Sequence, residues 1–284
     1  MKKLIFAIPV LCAATSFGQT TSGKLTLSKG QKLETVTNMT ISAESMMGPS
    51  SGTITIADTY TVNDATGNAF TLVKVPKQVK MNFTMGSQAM KIDSDNPKDL
   101  DGMLGQPVKE IMAQKPEFTI DENGKIIAVK KEPGKNTANE NGAGMMAMML
   151  PGMDLASAVP QEGQPSFFQV LPNKVVRIGD SWTDSTQAES NVQVTTYAVK
   201  EINDKEIVVD YKGRGKTVNS KEAMGMKVDV NAENRSTGTI VLDKATGIVK
   251  QKTSTNTTET MMNLGGRELT STIKTTAVTN VTPL

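Results

Sequence analysis

Apolar and polar residues alternate with a period of two along most of this chain. From Lys32 to Ile41 one face carries Leu33, Thr35, Thr37, Met39 and Ile41, and from Gln78 to Met85 the matching set is Val79, Met81, Phe83 and Met85. Between Met224 and Arg235, Met224, Met226, Val228, Val230 and Ala232 alternate with Lys227, Asp229, Asn231, Glu233 and Arg235. Near the C-terminus Leu269, Ile273, Ala277 and Val281 fall on one side. A strand turns successive side chains to opposite faces, so each stretch predicts a strand with one buried and one wet face, as antiparallel sheets have.

The turns agree. Asn63-Asp64-Ala65-Thr66-Gly67, Asp121-Glu122-Asn123-Gly124 and Asp243-Lys244-Ala245-Thr246-Gly247 separate strand-like runs, and each ends in a glycine able to take positive φ. Ile202-Asn203-Asp204-Lys205 and Leu264-Gly265-Gly266-Arg267 predict two more hairpins. Helical spacing occurs from Gln106 to Gln114, where Val108, Ile111 and Met112 share a face and Pro107 suits the first turn. The expected fold is all-β: an antiparallel meander forming a strongly curved sheet or partial barrel, with one short helix plugging one end. From Glu132 to Gln164 the chain turns rich in Pro, Gly, Asn, Ala and Met and loses its period. The expected parts are an N-terminal β block (19–131), a linker or loop (132–166) and a C-terminal β block (167–284). Periodicity leaves open whether the blocks are two domains or one curved sheet.

Residues 1–18 read as a signal peptide. Lys2 and Lys3 form a basic start, Leu4 to Ala14 an apolar stretch too short to span a bilayer, and Ser16-Phe17-Gly18 a small-x-small cleavage site ahead of Gln19. Cys12, the single cysteine, lies in that segment, and Pro9-Val10-Leu11 before it lacks the small residues expected ahead of a lipidated cysteine. The mature chain is then cysteine-free, without disulfides or thiol chemistry. The expectation is an exported protein, periplasmic or extracellular and in part outer-membrane-associated, that does not span the membrane after cleavage. Charged outward faces, few aromatics and the Thr282-Pro283-Leu284 terminus argue against an outer-membrane barrel.

Charge and composition narrow the chemistry. The chain has 31 basic and 29 acidic residues, and loss of Lys2 and Lys3 leaves 29 against 29, no footprint for nucleic acid. Histidine is absent, which removes the commonest general base, the commonest metal ligand and any Ser-His-Asp triad. No Gly-x-Ser-x-Gly elbow is present. Asp180, Asp184 and Glu189 match neither a calcium loop nor a glycosidase pair. Gly213-Arg214-Gly215-Lys216 lacks the spacer of a phosphate loop and reads as a strand edge or bulge.

The order of several motifs resembles a secreted Bacteroidota family of unknown function, domain-of-unknown-function family 6263. They are Leu27-Ser28-Lys29-Gly30-Gln31, Phe118-Thr119-Ile120-Asp121-Glu122-Asn123-Gly124, Leu171-Pro172 followed by Ile178-Gly179-Asp180-Ser181-Trp182, and Gly238-Thr239-Ile240-Val241-Leu242-Asp243 leading into Ala245-Thr246-Gly247. The resemblance implies a match over nearly the whole mature chain and transfers no functional residues. The last hairpin also resembles those of periplasmic lipoprotein-carrier half-barrels, an analogy of fold alone.

Two features remain as candidate ligand sites. Met145, Met146, Met148, Met149 and Met153 crowd a glycine-rich stretch. Thioethers suit Cu(I) or an adaptable apolar contact, against the plainer reading of a loop covering the core. Trp182, the single tryptophan, either stacks on a ligand or caps the core where its strand begins, with Gly179 and Asp180 making the turn. No catalytic residue, metal ligand or cofactor is assigned. The expected function is non-enzymatic: an envelope protein binding an apolar ligand or a protein partner in a concave face, lined by Val79, Met81, Phe83, Met224, Met226 and Val228 with the methionine loop at its mouth. The alternatives are a methionine-based Cu(I) binder and a hydrolase with an unrecognised site.

Overall fold

In a computed structural model each alternating stretch is a strand. The structure describes residues 20–45, 48–102, 105–130, 160–188, 191–223, 226–264 and 266–284. In chain order the strands are β1 (Thr20–Ser22), β2 (Lys32–Ser45), β3 (Gly48–Thr66), β4 (Ala69–Met85) and β5 (Gln88–Asp93). Helices α1 (Pro97–Leu100) and α2 (Gly105–Ala113) follow, then β6 (Glu117–Asp121), β7 (Ile126–Val129) and β8 (Val175–Arg177). The C-terminal strands are β9 (Ser181–Ala188), β10 (Asn191–Ile202), β11 (Glu206–Ala223), β12 (Met226–Asp243), β13 (Val249–Leu264) and β14 (Arg267–Pro283). Helix α2 is the one the spacing predicts. The single-turn α1 is additional, started by Asn96, whose side chain accepts from the Lys98 amide.

One 12-stranded antiparallel sheet runs β7-β6-β4-β3-β2-β14-β13-β12-β11-β10-β9, with β5 also on β4, and it does not close into a barrel. Strands β1 and β8 form a separate two-stranded ladder. Most neighbours are hairpins, as the turns predict. The long-range exception is β2 against β14, where Leu33 through Ser45 pair with Pro283 through Ser271. That ladder joins the two blocks into one sheet. Among the described residues no helix is long and apolar enough to cross a membrane.

The sheet curls most tightly at one end of its strands. The register shifts lie there, at Ala57/Asp58 and Val62/Asp64 in β3, Thr119/Ile120 in β6, Val199/Glu201 in β10 and Val241/Leu242 in β12. A bulge bends its strand and raises the local twist, which brings distant strands together. One core cluster therefore contains Ile126 of β7 and Val199 and Ile202 of β10, strands from opposite sides of the sheet. Leu25 and Leu27 cross this end, with the Leu25 amide donating to Glu122 O and the Thr26 amide to Thr246 O, both at 2.7 Å. Phe168, Val170 and Leu171 plug it beside them. Gly124 must be glycine twice over: its φ is +85°, and a Cβ would lie 2.6 Å from the Gln169 amide nitrogen.

A second cluster lies under α2, where Val108 packs on Ile41, Ile54, Val79, Met81 and Ile273 of the inner face. The far halves of β11 to β14 extend beyond both clusters. At their far ends the inner face is Gly, Thr, Asn, Ser and Ala with Val228, Val230, Met262 and Leu269, half-buried at most, while most of the alternate outward residues are exposed. The predicted face of β12 is therefore on the predicted side, but it is only half-buried.

The inner face also carries a charge pair. Lys74 Nζ lies 3.1 Å from Asp58 Oδ2, and the two side chains are only 15% and 12% exposed. Burial raises the pKa of Asp58 and the Lys74 charge pulls it back. Removing one partner leaves an uncompensated buried charge, so Lys74→Met is expected to cost about 3–5 kcal/mol in urea denaturation. The double variant Asp58→Leu/Lys74→Met is expected to fall within about 1–2 kcal/mol of the original chain. Because the folded pKa of Asp58 is raised, its contribution to stability is present in acid and lost as pH rises through that pKa. The deficit of Lys74→Met is accordingly expected to shrink as pH is lowered.

Candidate functional site

Register determines which inner-face side chains meet. Trp182 of β9 lies opposite Tyr197 of β10, Tyr197 opposite Tyr211 of β11, and Tyr211 opposite Gly238 of β12. These residues form one transverse row across the sheet. The Trp182 and Tyr197 rings stack with centroids 5.3 Å apart and planes 11° from parallel. Tyr197 and Tyr211 follow at 6.1 Å, tilted by 38°. Such pairs contribute about 0.5–1.5 kcal/mol beyond their buried area.

Gly238 makes room for the row. A Cβ there would lie 2.7 Å from the Tyr211 ring and 2.0 Å from Thr253 O, so the ring sits against the glycine in space a side chain would fill. The Tyr211 hydroxyl donates to Thr253 O at 3.3 Å. In the neighbouring row toward the bulged end, Lys252 of β13 stands opposite Ile240 on one side and Thr279 of β14 on the other. Its ammonium reaches back over Tyr211, 5.4 Å from the ring centroid, a cation–π distance. Thr279 pairs in turn with Thr37 of β2, hydroxyl to hydroxyl at 2.8 Å.

Electrostatics follow from dehydration. Burial lowers the pKa of Lys252 and raises that of Asp184, which lies on β9 two residues beyond Trp182. Among the described residues the indole Nε1 of Trp182 and the amide oxygen of Asn256 are buried without a hydrogen-bond partner. Such groups, which also include Thr59 Oγ1, Asn123 Oδ1 and Gln169 Oε1, are uncommon in folded proteins and call for an ordered water, an ion or a bound molecule.

Trp182 borders the core where β9 begins, as the capping reading expects, and its ring stacks on Tyr197 of the same sheet. The turn before it is the predicted one, with Gly179 at φ +88° and Asp180 Oδ2 accepting from the Arg177 amide at 2.9 Å. Met145, Met146, Met148, Met149, Met153 and Glu189 lie outside the described residues, as do Met224 and residues 1–19. The expected concave lining is corrected. Val79 and Met81 are buried and Phe83 packs beside them in the cluster that also holds Val108 of α2, a filled core instead of a cavity. Val228 sits on β12, separated from β4 by β3, β2, β14 and β13. Gly213-Arg214-Gly215-Lys216 is also corrected. It lies in β11, paired on both sides in unbroken register, and a Cβ on Gly213 would meet Ser236 Oγ at 2.3 Å.

The opposite face offers a different surface. A shallow depression of about 270 Å³ is lined by Val192, Val194, Lys216 and Arg235, among others. Arg235 there is held by Glu259 at 3.2 Å and Glu233 at 3.7 Å, exposed pairs that neutralise it in water. Among the described residues no three His, Cys, Asp or Glu side chains converge to hold a metal ion.

The row has a spectroscopic consequence. Burial raises all three tyrosines of the chain: Tyr60, Tyr211, and Tyr197, which is pushed up to about 12 with help from the Asp184 charge. Absorbance at 295 nm is expected to stay flat through the ordinary phenol range near pH 10 in the folded protein and to rise there in denaturant. A raised folded pKa means stability present below the unfolded value and lost as pH rises, so the tyrosines destabilise the fold from about pH 10 upward. Lys252, with its folded pKa depressed, acts with the opposite sign just below the ordinary lysine value.

No curated protein matches this sequence. Among solved structures, a chain of lipovitellin, from work on its lipid–protein interactions, is similar at 11% identity with a TM-score of 0.47. The match covers 90% of this chain, which spans only 25% of that one. OpdQ of Pseudomonas aeruginosa is similar at 8% identity and a TM-score of 0.24, over 91% of this chain and 100% of that one. OmpF of Salmonella typhi follows at 9% identity and 0.26, over 91% and 100%. These scores lie below the level that establishes a shared fold. The family match is narrower than the motif resemblance implies, leaving out Leu27–Gln31 and Phe118–Gly124: residues 161–249, from the plug through the aromatic row to the β12–β13 turn, match the family of unknown function DUF6263.

Proposed function

We propose that the protein is a non-catalytic binding protein of the cell envelope that seats an apolar molecule on the inner face of β9 to β13. The observation that carries this reading is the stacked row Trp182–Tyr197–Tyr211, placed at the border of the packed core with an indole N–H that has no acceptor among the described residues. Aromatic rings supply broad apolar contact at little cost in conformational entropy, and a few placed polar groups fix orientation. The small inner-face residues Gly213, Gly215 and Ser236 beside the row keep the sheet low there. Export to the envelope is supported by the sequence features of residues 1–18, from Lys2 and Lys3 to Gly18.

Trp182 is the chain's single tryptophan and therefore reports on its own site. Titration with N-phenyl-1-naphthylamine, a neutral aromatic probe, is expected to quench Trp182 emission saturably with energy transfer to the probe. Tyr197→Ala, which removes the middle ring, is expected to weaken binding about threefold to tenfold. Absence of saturable quenching in the original chain would sink the reading.

A further inference from the structure

We infer that the molecule held on this face carries one anionic group, a carboxylate or similar oxyanion, seated on the Lys252 ammonium while its apolar body lies along Tyr211, Tyr197 and Trp182. The inference rests on the binding reading above and names the chemistry of its ligand.

Lys252 is out of place on stability grounds. It occupies an inner-face position between Ile240, which is 2% exposed, and Thr279, which is 9% exposed. A dehydrated ammonium is costly unless a negative charge compensates it. Among the described residues no carboxylate forms an ion pair with Lys252; the Tyr211 ring is its neighbour. The inner-face carboxylates are placed elsewhere. Asp58 is taken by Lys74 at 3.1 Å, and Asp184 stands on β9, four strands from β13. The contrast is with Lys74: that inner-face lysine has its counter-ion in Asp58, whereas Lys252 has none among the described residues.

The surroundings of Lys252 suit an oxyanion. The Thr37–Thr279 hydroxyl pair adjoins it in the same row. Whichever hydroxyl accepts in that pair keeps its own proton free to donate. Gly238 lets the ammonium approach the aromatic row across β12, so a charge on Lys252 and rings on Tyr211 and Tyr197 can be met by one molecule. Anionic and apolar parts must then be adjacent in the ligand, as in a fatty acid or an aromatic acid. An inorganic anion satisfies only half of this surface.

Two probes with the same aromatic body separate the terms. 1-Anilinonaphthalene-8-sulfonate carries an anion that N-phenyl-1-naphthylamine lacks, and both are read through Trp182 emission in the full chain. The sulfonate is expected to bind the original protein about tenfold or more tighter than the neutral probe, as a charge-assisted hydrogen bond provides. Lys252→Met is expected to remove that preference, to leave the neutral probe within about threefold, and to unfold at the same or a higher temperature. Lys252→Arg, which keeps the charge, is expected to retain most of the preference. Equal binding of the two probes by the original protein overturns the anionic inference and leaves the apolar site standing, a result that needs no variant to fold. An unchanged sulfonate preference in Lys252→Met overturns it too. Failure of both probes to bind the original protein removes the inference together with the reading beneath it.

Discussion

The β2–β14 ladder is the interaction on which the rest of the structure depends. It pairs residues more than two hundred positions apart in sequence, among them Thr37 with Thr279 and Met39 with Ala277. Every other long strand pairing is a hairpin or close to one, so without this ladder the chain would hold two separate sheets, each with an unpaired edge. With it, the inner face becomes continuous from β4, which α2 covers, to the aromatic row on β9 to β11. Long-range pairing must be reached against loop-closure entropy, which makes this ladder the expected slow step of folding.

Curvature at one end complements that ladder. The bulges bend the strands, and the irregular stretches at Leu25–Leu27 and Phe168–Leu171 fill the space the bend encloses. At the other end β11 to β14 pair in unbroken register past the core, and their inner face mixes small polar side chains with Val228, Val230, Met262 and Leu269. The aromatic row and Lys252 lie where these two regimes meet, at the rim of the packed end. A site at that boundary has a rigid floor and a face that the core does not need.

Much of the fold is legible in the alternation of residues, because a strand's faces follow from parity alone. The faces of β2, β4, β12 and β14 come out on the predicted side. Depth of burial does not follow from parity. Met81 is core because α2 covers it, whereas Val228 and Val230 are half-buried because nothing in the described chain packs on them as tightly. The non-local ladder leaves no trace in local pattern, and neither do buried segments that are not strands, such as Phe168–Leu171. Of the site, Trp182 stands out as the single tryptophan. Tyr197 and Tyr211 are not legible as a pair: the turn closed by Ile202 and Ile207 would set Tyr197 opposite Lys212, and the bulge at Lys200 shifts it opposite Tyr211. Lys252 reads as an ordinary outward lysine until the register of β12 on β13 sets it opposite Ile240.

Stability and binding are opposed at this site. Among the described residues Lys252 has no counter-ion and the Trp182 indole N–H no acceptor; each costs folding free energy, and the two stand at opposite ends of the aromatic row, on β13 and β9. The most direct measurement is the amide chemical-shift map of the isotope-labelled protein on addition of N-phenyl-1-naphthylamine. The account predicts that the largest changes fall on Trp182, Tyr197, Tyr211 and Gly238, with the outward depression around Arg235 unmoved. Changes concentrated on the outer face, with the aromatic row unaffected, would contradict it.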